Sequence, residues 1–410
     1  MRKRLFTPAA LLGCLLILTF ETVSATDQQP ALTTLVRSVL DDNPRALAAR
    51  SALDAAQARE RAADRPLYNP DLDIDYEDAG NVTKTLGLSQ SIDWGDKREA
   101  RTRVAALERE RVVAELAGIR QALALELLTA LANYHTAAEL TALAEQRRTL
   151  MQRFLSLTEQ RRQAGDLGQV ELDLARLADT EASLQLARLM GVQAEAEQAL
   201  TAIVDAGPNG WPTLPDIPTS TLFNVADTDT LLEQLPVLRV ARSQISAARA
   251  AVELSRRERR ADPTIGLRGG RDASDNLIGL TLSIPLFVRN NFSAEVDAAN
   301  ADAIQIEQSA QNSYRTGRAR LISTARRFEL GRQAWDGWLQ TGQSSLESQV
   351  QLLERLWSAG ELSTTDYLVQ IKQTLDTRTA AVELHGSLWQ AWFEWLAASG
   401  RTGSWLGLKN

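Results

Sequence analysis

The chain has 410 residues, of which 44% are hydrophobic and 5% aromatic, and its formal net charge is −7. This length accommodates one large or two medium globular domains. The acidic balance argues against nucleic acid as a partner, because basic patches supply most of the affinity for phosphate.

The first 25 residues are typical of an export signal. A basic start over residues 2–4 is followed by an apolar run over residues 11–20 and by the small residues Val23-Ser24-Ala25 at a cleavage site. The apolar run is too short for a membrane-spanning helix, which needs roughly 20 residues, and no later segment reaches that length. We therefore predict a signal peptide over 1–25 and an exported mature chain without a transmembrane helix.

Cys14 is the only cysteine, and two interpretations of it remain open. Leu11-Leu12-Gly13-Cys14 loosely resembles a lipoprotein cleavage box, but the apolar run continues past Cys14, as expected in the middle of a signal. If cleavage follows Ala25, the mature chain has no cysteine, and so neither a disulfide nor a thiolate metal site.

The rest of the chain is a twofold repeat with an offset of about 192 residues. Three landmarks recur in the same order: Asn43-Pro44 and Leu235-Pro236 at helix starts, Leu86-Gly87-Leu88 and Ile278-Gly279-Leu280 in strands, and Ala164-Gly165-Asp166-Leu167 and Ala359-Gly360-Glu361-Leu362 at turns. Each half therefore predicts a helix, two strands, a long helix, a Gly-centred turn and a return helix.

The predicted boundaries follow from this plan and from the helix-breaking prolines. The first repeat, 26–207, has a helix over 31–65, strands over about 71–77 and 83–93, a long helix over 97–163 and a return helix over 167–204. A Pro-rich linker over 208–227 leads to the second repeat, 228–400, with a helix over 228–261, strands over about 264–270 and 277–286, a long helix over 291–358 and a return helix over 363–398. Residues 401–410 form a tail.

The long helices are much longer than a globular domain is wide. About 67 residues at 1.5 Å each give a rod of roughly 100 Å. Apolar residues recur in steps of three and four, as in Leu116, Ile119 and Leu123, so these rods must pack side by side on other helices. A helical bundle or a cytoskeletal coiled coil would explain the helices alone, but the strands argue against both.

The four predicted strands alternate apolar and polar residues, which is typical of membrane barrels. In the first strand, Leu72, Ile74 and Tyr76 face one side, and four acids face the other: Asp71, Asp73, Asp75 and Glu77. A closed barrel needs at least about eight strands, and an open sheet edge leaves backbone groups unsatisfied in lipid. Copies of the chain must therefore share one barrel, and this argument does not choose between a dimer and a trimer.

The order of elements resembles the TolC family of outer-membrane channels across essentially the whole mature chain. Short motifs resemble its CzcC-type branch, which serves heavy-metal cation efflux: Asn69-Pro70-Asp71-Leu72, Trp94-Gly95-Asp96-Lys97-Arg98, and Ile284-Pro285-Leu286-Phe287 with Arg289-Asn290. The resemblance implies a mainly α fold with a small β part, in which a homotrimer forms a twelve-stranded outer-membrane barrel that continues into a periplasmic α-helical tunnel. It also implies two partners, a periplasmic adaptor (membrane fusion) protein and an inner-membrane RND pump.

The resemblance places the far end of the tunnel at the two helix–helix turns, where the adaptor would bind. The predicted contact residues are Gly165, Asp166, Leu167, Gly360, Glu361 and Leu362. Glycine also has a local reason at these turns, because it suits the left-handed ending of a helix. A plain hairpin cap is therefore the alternative interpretation.

Six residues after each of these glycines lies an acid, Glu171 in the first half and Asp366 in the second. The resemblance implies that both acids line the channel entrance, whereas a solvated helix face is the alternative. The sequence departs from the family at Val369, where a second aspartate is expected, and at Leu362, where an arginine is expected. The closing mechanism therefore stays open.

No catalytic constellation is recognisable. His135 and His385 stand alone, and no metal-ligand spacing, phosphate-binding glycine loop or nucleophile–base pair occurs. We therefore predict no enzyme activity and no cofactor, with any metal ion passing as a substrate, because tight sites would slow its exit. The sequence favours a passive efflux duct, for divalent heavy-metal cations by resemblance; drugs or other small molecules remain open, and a soluble periplasmic coiled-coil adaptor or scaffold is the competing class.

Overall fold

The computed structural model describes residues 28–78, 80, 82–205, 210–221 and 228–408. The predicted signal with Cys14 lies outside the described residues. So do Ala79 and Asn81 of the first hairpin loop, residues 206–209 and 222–227 around and within the predicted linker, and the last two residues of the chain.

The described part of the chain is mostly helical and contains one small sheet. The first half consists of α1 (Gln28–Asp42), α2 (Pro44–Ala63), β1 (Asp71–Asp78), β2 (Val82–Ser91), α3 (Lys97–Gln163) and α4 (Gln169–Val204). The second half consists of α5 (Thr228–Gln234), α6 (Pro236–Glu258), β3 (Thr264–Asp272), β4 (Asp275–Ser283), α7 (Ser293–Gly337), a π-helical turn (Trp338–Gly342), α8 (Gln343–Ser358), α9 (Thr364–Ser399) and α10 (Thr402–Trp405). The two halves thus share one plan.

Each of the two first helices, predicted as continuous over 31–65 and 228–261, is two helices. The breaks fall immediately before Pro44 and Pro236, which occupy the first turn of α2 and α6. The residue before each proline has an extended backbone, with ψ of 131° and 132°. Proline disfavours helical conformation in the residue before it and has no N–H with which to continue a helix, so the break is a local consequence of the sequence.

The long helix of the second half, predicted as continuous over 291–358, is interrupted by the π-helical turn. Gly342 at the end of this turn lies against the Trp338 ring, since a Cβ at position 342 would be 2.3 Å from the nearest ring atom. A side chain at position 342 would therefore overlap the indole in this arrangement. Its counterpart α3 is unbroken over 67 residues.

The four strands form a single antiparallel sheet in the order β1-β2-β3-β4. The hairpins β1-β2 and β3-β4 belong to one repeat each, and the pairing of β2 with β3 joins the repeats. Strand β4 ends at Ser283, before the predicted limit of 286, because Pro285 has no N–H to donate to a ladder. Within one chain β1 and β4 remain as edges.

The main hydrophobic core lies around the middle of α3, and α1, α5, α7 and α9 also contribute buried residues to it. Its largest fully buried side chains include Leu127, Leu131, Phe328, Phe393 and Trp395. The described part of the linker and the predicted tail also pack on this core, through buried Ile217 and Leu406. Among the described helices, none combines the length and the apolarity that crossing a membrane requires.

Candidate functional site: the polar sheet face and the hairpin turns

One face of the sheet carries the acids that the sequence predicts for a channel lumen. Strand β1 is exposed along its whole length, and its acids pair across to small residues of β2: Asp71 to Ser89, Asp73 to Gly87, Asp75 to Thr85 and Glu77 to Thr83. Ser89 Oγ lies 3.3 Å from Asp73 Oδ2, and Thr85 Oγ1 lies 3.2 Å from Asp75 Oδ2. Alternation therefore gathers four carboxylates on one open, polar surface.

The opposite face of the sheet is apolar and equally open. Leu72 and Ile74 of β1 are 64% and 73% exposed, and Ile278 and Leu280 of β4 are 84% and 83% exposed. These values are far above those of ordinary core residues, so the face is unsuited to water. It requires a cover of lipid or protein.

Three side chains from both repeats meet where the sheet joins the helices. Lys97 Nζ lies 2.9 Å from Asp262 Oδ2, and the two side chains are only 12% and 6% exposed. Tyr68 donates its hydroxyl to the same carboxylate oxygen at 2.6 Å, and this bond, with burial, raises the pKa of Tyr68 to about 12. Burial opposes the charge of Asp262, but the hydrogen bonds from Lys97 and Tyr68 prevail and lower its pKa.

Both helix–helix turns have the same backbone geometry. Gly165 and Gly360 have φ of +88° and +79°, in the left-handed region. The amide of Asp166 donates to the Arg161 carbonyl at 2.9 Å, and that of Glu361 donates to the Leu356 carbonyl at 2.9 Å. Together with the bonds from each glycine amide, these are two Schellman motifs. The local reason for glycine is therefore confirmed.

The two turns are tied to each other by aromatic packing. Phe154 of α3, Trp357 of α8 and Tyr367 of α9 form one cluster, with ring centroids 4.7 to 5.4 Å apart. Arg161 lies over the Trp357 ring at 5.1 Å and donates to the Ser358 carbonyl at 2.8 Å. The helix before the first turn is thus fixed to the helix before the second.

The predicted entrance acids occupy equivalent positions in the first turns of the return helices. Ser363 caps α9 by accepting from the Asp366 amide at 3.1 Å, and its hydroxyl lies 2.6 Å from the Asp366 carboxylate. Glu171 folds back toward Gly168, where an added Cβ would lie 2.8 Å from its Oε2. Within the described part of a single chain, neither acid has an ion-pair partner on another helix. Helix capping therefore gives Asp366 a local role, whereas no side-chain hydrogen bond caps the start of α4.

The two histidines are placed as packing residues. A ring nitrogen of His135 lies 2.9 Å from the Pro212 carbonyl. His385 stacks on Trp335 with ring centroids 4.6 Å apart, and burial lowers its pKa. Over the described ranges, no three His, Cys, Asp or Glu side chains form a group that could hold a metal ion.

Comparisons with known proteins agree with this architecture. Residues 35–205 match the family described as Outer membrane efflux protein. The chain is 26% identical to the cobalt-zinc-cadmium resistance protein CzcC of Cupriavidus metallidurans over 84% of each chain. It is 28% identical to the nickel-cobalt-cadmium resistance protein NccC of Alcaligenes xylosoxydans xylosoxydans over 67% of this chain and 68% of that one. Among solved structures, the CmeC outer membrane channel of Campylobacter jejuni superposes with a TM-score of 0.77 at 17% identity, covering 98% of this chain and 94% of that one.

Proposed function

We propose that this chain is the outer-membrane channel of a tripartite efflux system, as its similarity to the outer membrane efflux protein family and to CzcC and NccC supports. Three copies form one passive duct, which receives its substrate from an inner-membrane RND pump by way of a periplasmic adaptor. The sheet lies in the outer membrane and the long helices extend into the periplasm.

The observation that carries this proposal is a sheet that one chain cannot complete. Its apolar face is open, and β1 and β4 each leave a row of backbone groups unpaired. In lipid such groups have to be paired. Three copies supply twelve strands, which lies within the range of membrane barrels, and closure turns the apolar face toward lipid and the acids toward the lumen.

The length of the helices supports the proposed tunnel. Helix α3 has 67 residues, which is roughly 100 Å at 1.5 Å per residue. It begins a few residues after β2 and ends at the first Gly-centred turn, so the sheet and the turns lie at opposite ends of a long rod. In the proposed channel these ends are the outer membrane and the periplasmic entrance.

The turns are the proposed adaptor contacts: Gly165, Asp166, Leu167, Gly360, Glu361 and Leu362. Support comes from the two matched turns. Four of these residues are exposed, Gly165, Asp166, Gly360 and Glu361, while the aromatic cluster behind them is packed. Glu171 and Asp366 are the proposed entrance acids. An unchanged single-channel conductance in the double variant Glu171→Gln, Asp366→Asn would overturn this role for both acids.

Divalent heavy-metal cations are the proposed substrates. The two relatives are named for resistance to cobalt, zinc and cadmium and to nickel, cobalt and cadmium. The exposed carboxylates of β1 suit such cargo, because a lining of one sign raises the local concentration of the opposite ion without holding it tightly.

Deleting the gene and measuring growth tests the function and the substrate together. We expect lower tolerance to zinc, cobalt, cadmium and nickel, restored by the parent chain, with drug tolerance unchanged. A chain with Asp166→Lys and Glu361→Lys should reach the outer membrane and still fail to restore tolerance. Lower drug tolerance with normal metal tolerance would overturn the proposed substrate. A fully soluble protein would overturn the proposed channel function.

A further inference from the structure

One row of residues crosses the polar face of the sheet with charge and glycine in alternation. Asp73 pairs with Gly87, Gly87 pairs with Arg268, and Arg268 pairs with Gly279. The row ends at β4, which is an edge of the sheet in one chain. The arginine is thus flanked on both neighbouring strands by positions without a side chain.

The side chain of Arg268 points toward the open edge. A Cβ at position 279 would lie 2.9 Å from Arg268 Nε and 3.2 Å from its Cγ, whereas the Arg268 atom nearest to a Cβ at position 87 is the Cβ, at 3.6 Å. The guanidinium therefore lies over Gly279 and away from Asp73 of its own chain. Within the described residues, Arg268 has no carboxylate at ion-pair distance.

The internal repeat predicts the register in which a second copy of the chain would pair with β4. In the first hairpin the glycine of β2, Gly87, faces Asp73, and in the second hairpin its counterpart Gly279 faces Arg268. Asp73 and Arg268 are therefore equivalent positions of the two hairpins. The junction between hairpins inside the chain pairs Gly87 with Arg268. If β4 pairs in this same register with the first hairpin of the next copy, Gly279 lies opposite Asp73 of that copy.

We propose that β4 pairs with β1 of a second copy of this chain in the register that sets Gly279 opposite Asp73, and that Arg268 reaches over Gly279 to the Asp73 carboxylate of that copy. The inference rests on the proposed channel and adds its subunit register and a specific ion pair. Three such pairs form a ring of six alternating charges around the lumen. The other three acids of β1, Asp71, Asp75 and Glu77, then stay available to passing cations.

The outer face fits the same register. With Gly279 opposite Asp73, Leu280 lies opposite Leu72 and Ile278 lies opposite Ile74 of the neighbouring copy, which continues the apolar surface. A slip of one residue would bring acids onto that surface, because strand side chains alternate with a period of two. A slip of two residues keeps the faces but sets Gly279 opposite Asp75, so it is the alternative that an experiment has to separate.

Disulfide trapping in native outer membranes distinguishes the two registers with all charges intact. One variant carries Leu280→Cys with Leu72→Cys, and the matched control carries Leu280→Cys with Ile74→Cys. Directly opposed Cβ atoms are about 4.5–5.5 Å apart and diagonal ones about 7–8 Å, and a disulfide needs about 3.5–4.5 Å. We expect covalent oligomers severalfold more abundant in the first variant, and none in the parent chain.

The outcomes separate failure of the register from failure of the channel. Stronger trapping through position 74, equal trapping through both, or none in an intact trimer overturns the register and leaves the channel standing. No trapping in a chain that runs as a monomer on native gels overturns the proposed function as well.

A charge exchange then tests the ion pair. Arg268→Asp and Asp73→Arg are each expected to lower the fraction of oligomer that survives heating in detergent, and the two together should restore most of it. Arg268→Asp with Asp75→Arg is the matched control and should not. Restoration only by the control, or by neither combination, overturns the pair.

Discussion

At the scale of single residues, the buried contact between Lys97 and Asp262 is one of those that join the repeats beneath the sheet. The pair is buried, and Lys97 also donates to the Arg260 carbonyl at 2.7 Å. Each charge is thus held by a partner from the other repeat. Removing one partner from such a pair leaves the other buried and uncompensated, which is more destabilising than never having had the pair.

Lys97→Met is therefore expected to lower the free energy of unfolding by about 3–5 kcal/mol near neutral pH. The pKa of Asp262 is lowered in the folded protein, so the contribution of the pair is complete above the ordinary aspartate pKa of about 4 and is lost as the pH falls through the lower folded value. Denaturant titrations of variant and parent should show the deficit shrinking in acid.

The control for this prediction is Lys84→Met, which removes an exposed lysine from β2. A substitution of this kind usually changes stability by no more than about 0.5 kcal/mol. Equal effects at both lysines, or a Lys97→Met deficit that grows toward low pH, would contradict the role assigned to the buried pair.

The sequence indicated some of these residues and could not indicate others. Lys97 belongs to a motif that carries the family resemblance, but Asp262 is a single aspartate 165 residues away, and no local pattern links two such positions. The capping contacts of Asp366, by contrast, lie within three residues of it. The Ser363-to-Asp366 spacing alone is enough to predict these contacts.

At the scale of elements, the two hairpin turns depend on a backbone conformation that only glycine adopts easily. Nothing lies within 4 Å of a Cβ at position 165 or 360, so space is not the constraint at either turn. The positive φ is the constraint, because an L side chain in the left-handed region costs about 1–2 kcal/mol.

Gly360→Ala is expected to lower the free energy of unfolding by about 1–2 kcal/mol, measured by denaturant titration. Gly191→Ala is the matched control, because Gly191 lies inside α4, is exposed, and also has open space around a Cβ. That change should instead raise stability, by up to about 1 kcal/mol, the helix-propensity difference between the two residues. Effects of the same sign at both sites would refute the argument from φ.

The elements themselves were predictable where local chemistry decides them. The spacing of apolar residues predicted a helix over 97–163, and α3 has these limits. The helices around Pro44 and Pro236 were predicted as continuous, but their breaks follow from the sequence, because proline disfavours a helical conformation in the residue before it. The π-helical turn was not predictable, because no periodicity in the sequence signals it or the contact between Trp338 and Gly342 that accompanies it.

At the scale of the whole molecule, the alternating strands predicted a sheet with one polar and one apolar face, but the join between the repeats came only from the structure. The pairing of β2 with β3 brings together residues about 180 positions apart, such as Gly87 and Arg268. Sequence alternation fixes which face a residue occupies but not which strand lies beside it. That long-range pairing is what allows the register of the next copy to be inferred.

The charge of the proposed lumen can be tested on the assembled channel. Changing Asp71, Asp73 and Asp75 to Asn and Glu77 to Gln should shift the reversal potential in planar bilayers toward equal permeability for cations and anions. The shift should be larger at about 0.1 M salt, where charges act over about 10 Å, than at about 1 M, where they act over about 3 Å.

The matched control is Asp78→Asn, because Asp78 belongs to the opposite face of the same strand and sits next to the hairpin loop. It should leave the reversal potential close to that of the parent. Asp73→Asn and Asp75→Asn each remove one negative charge per chain, so each alone should reduce cation preference by less than the fourfold change does. An unchanged potential in the fourfold variant would place the acids outside the path of the ions.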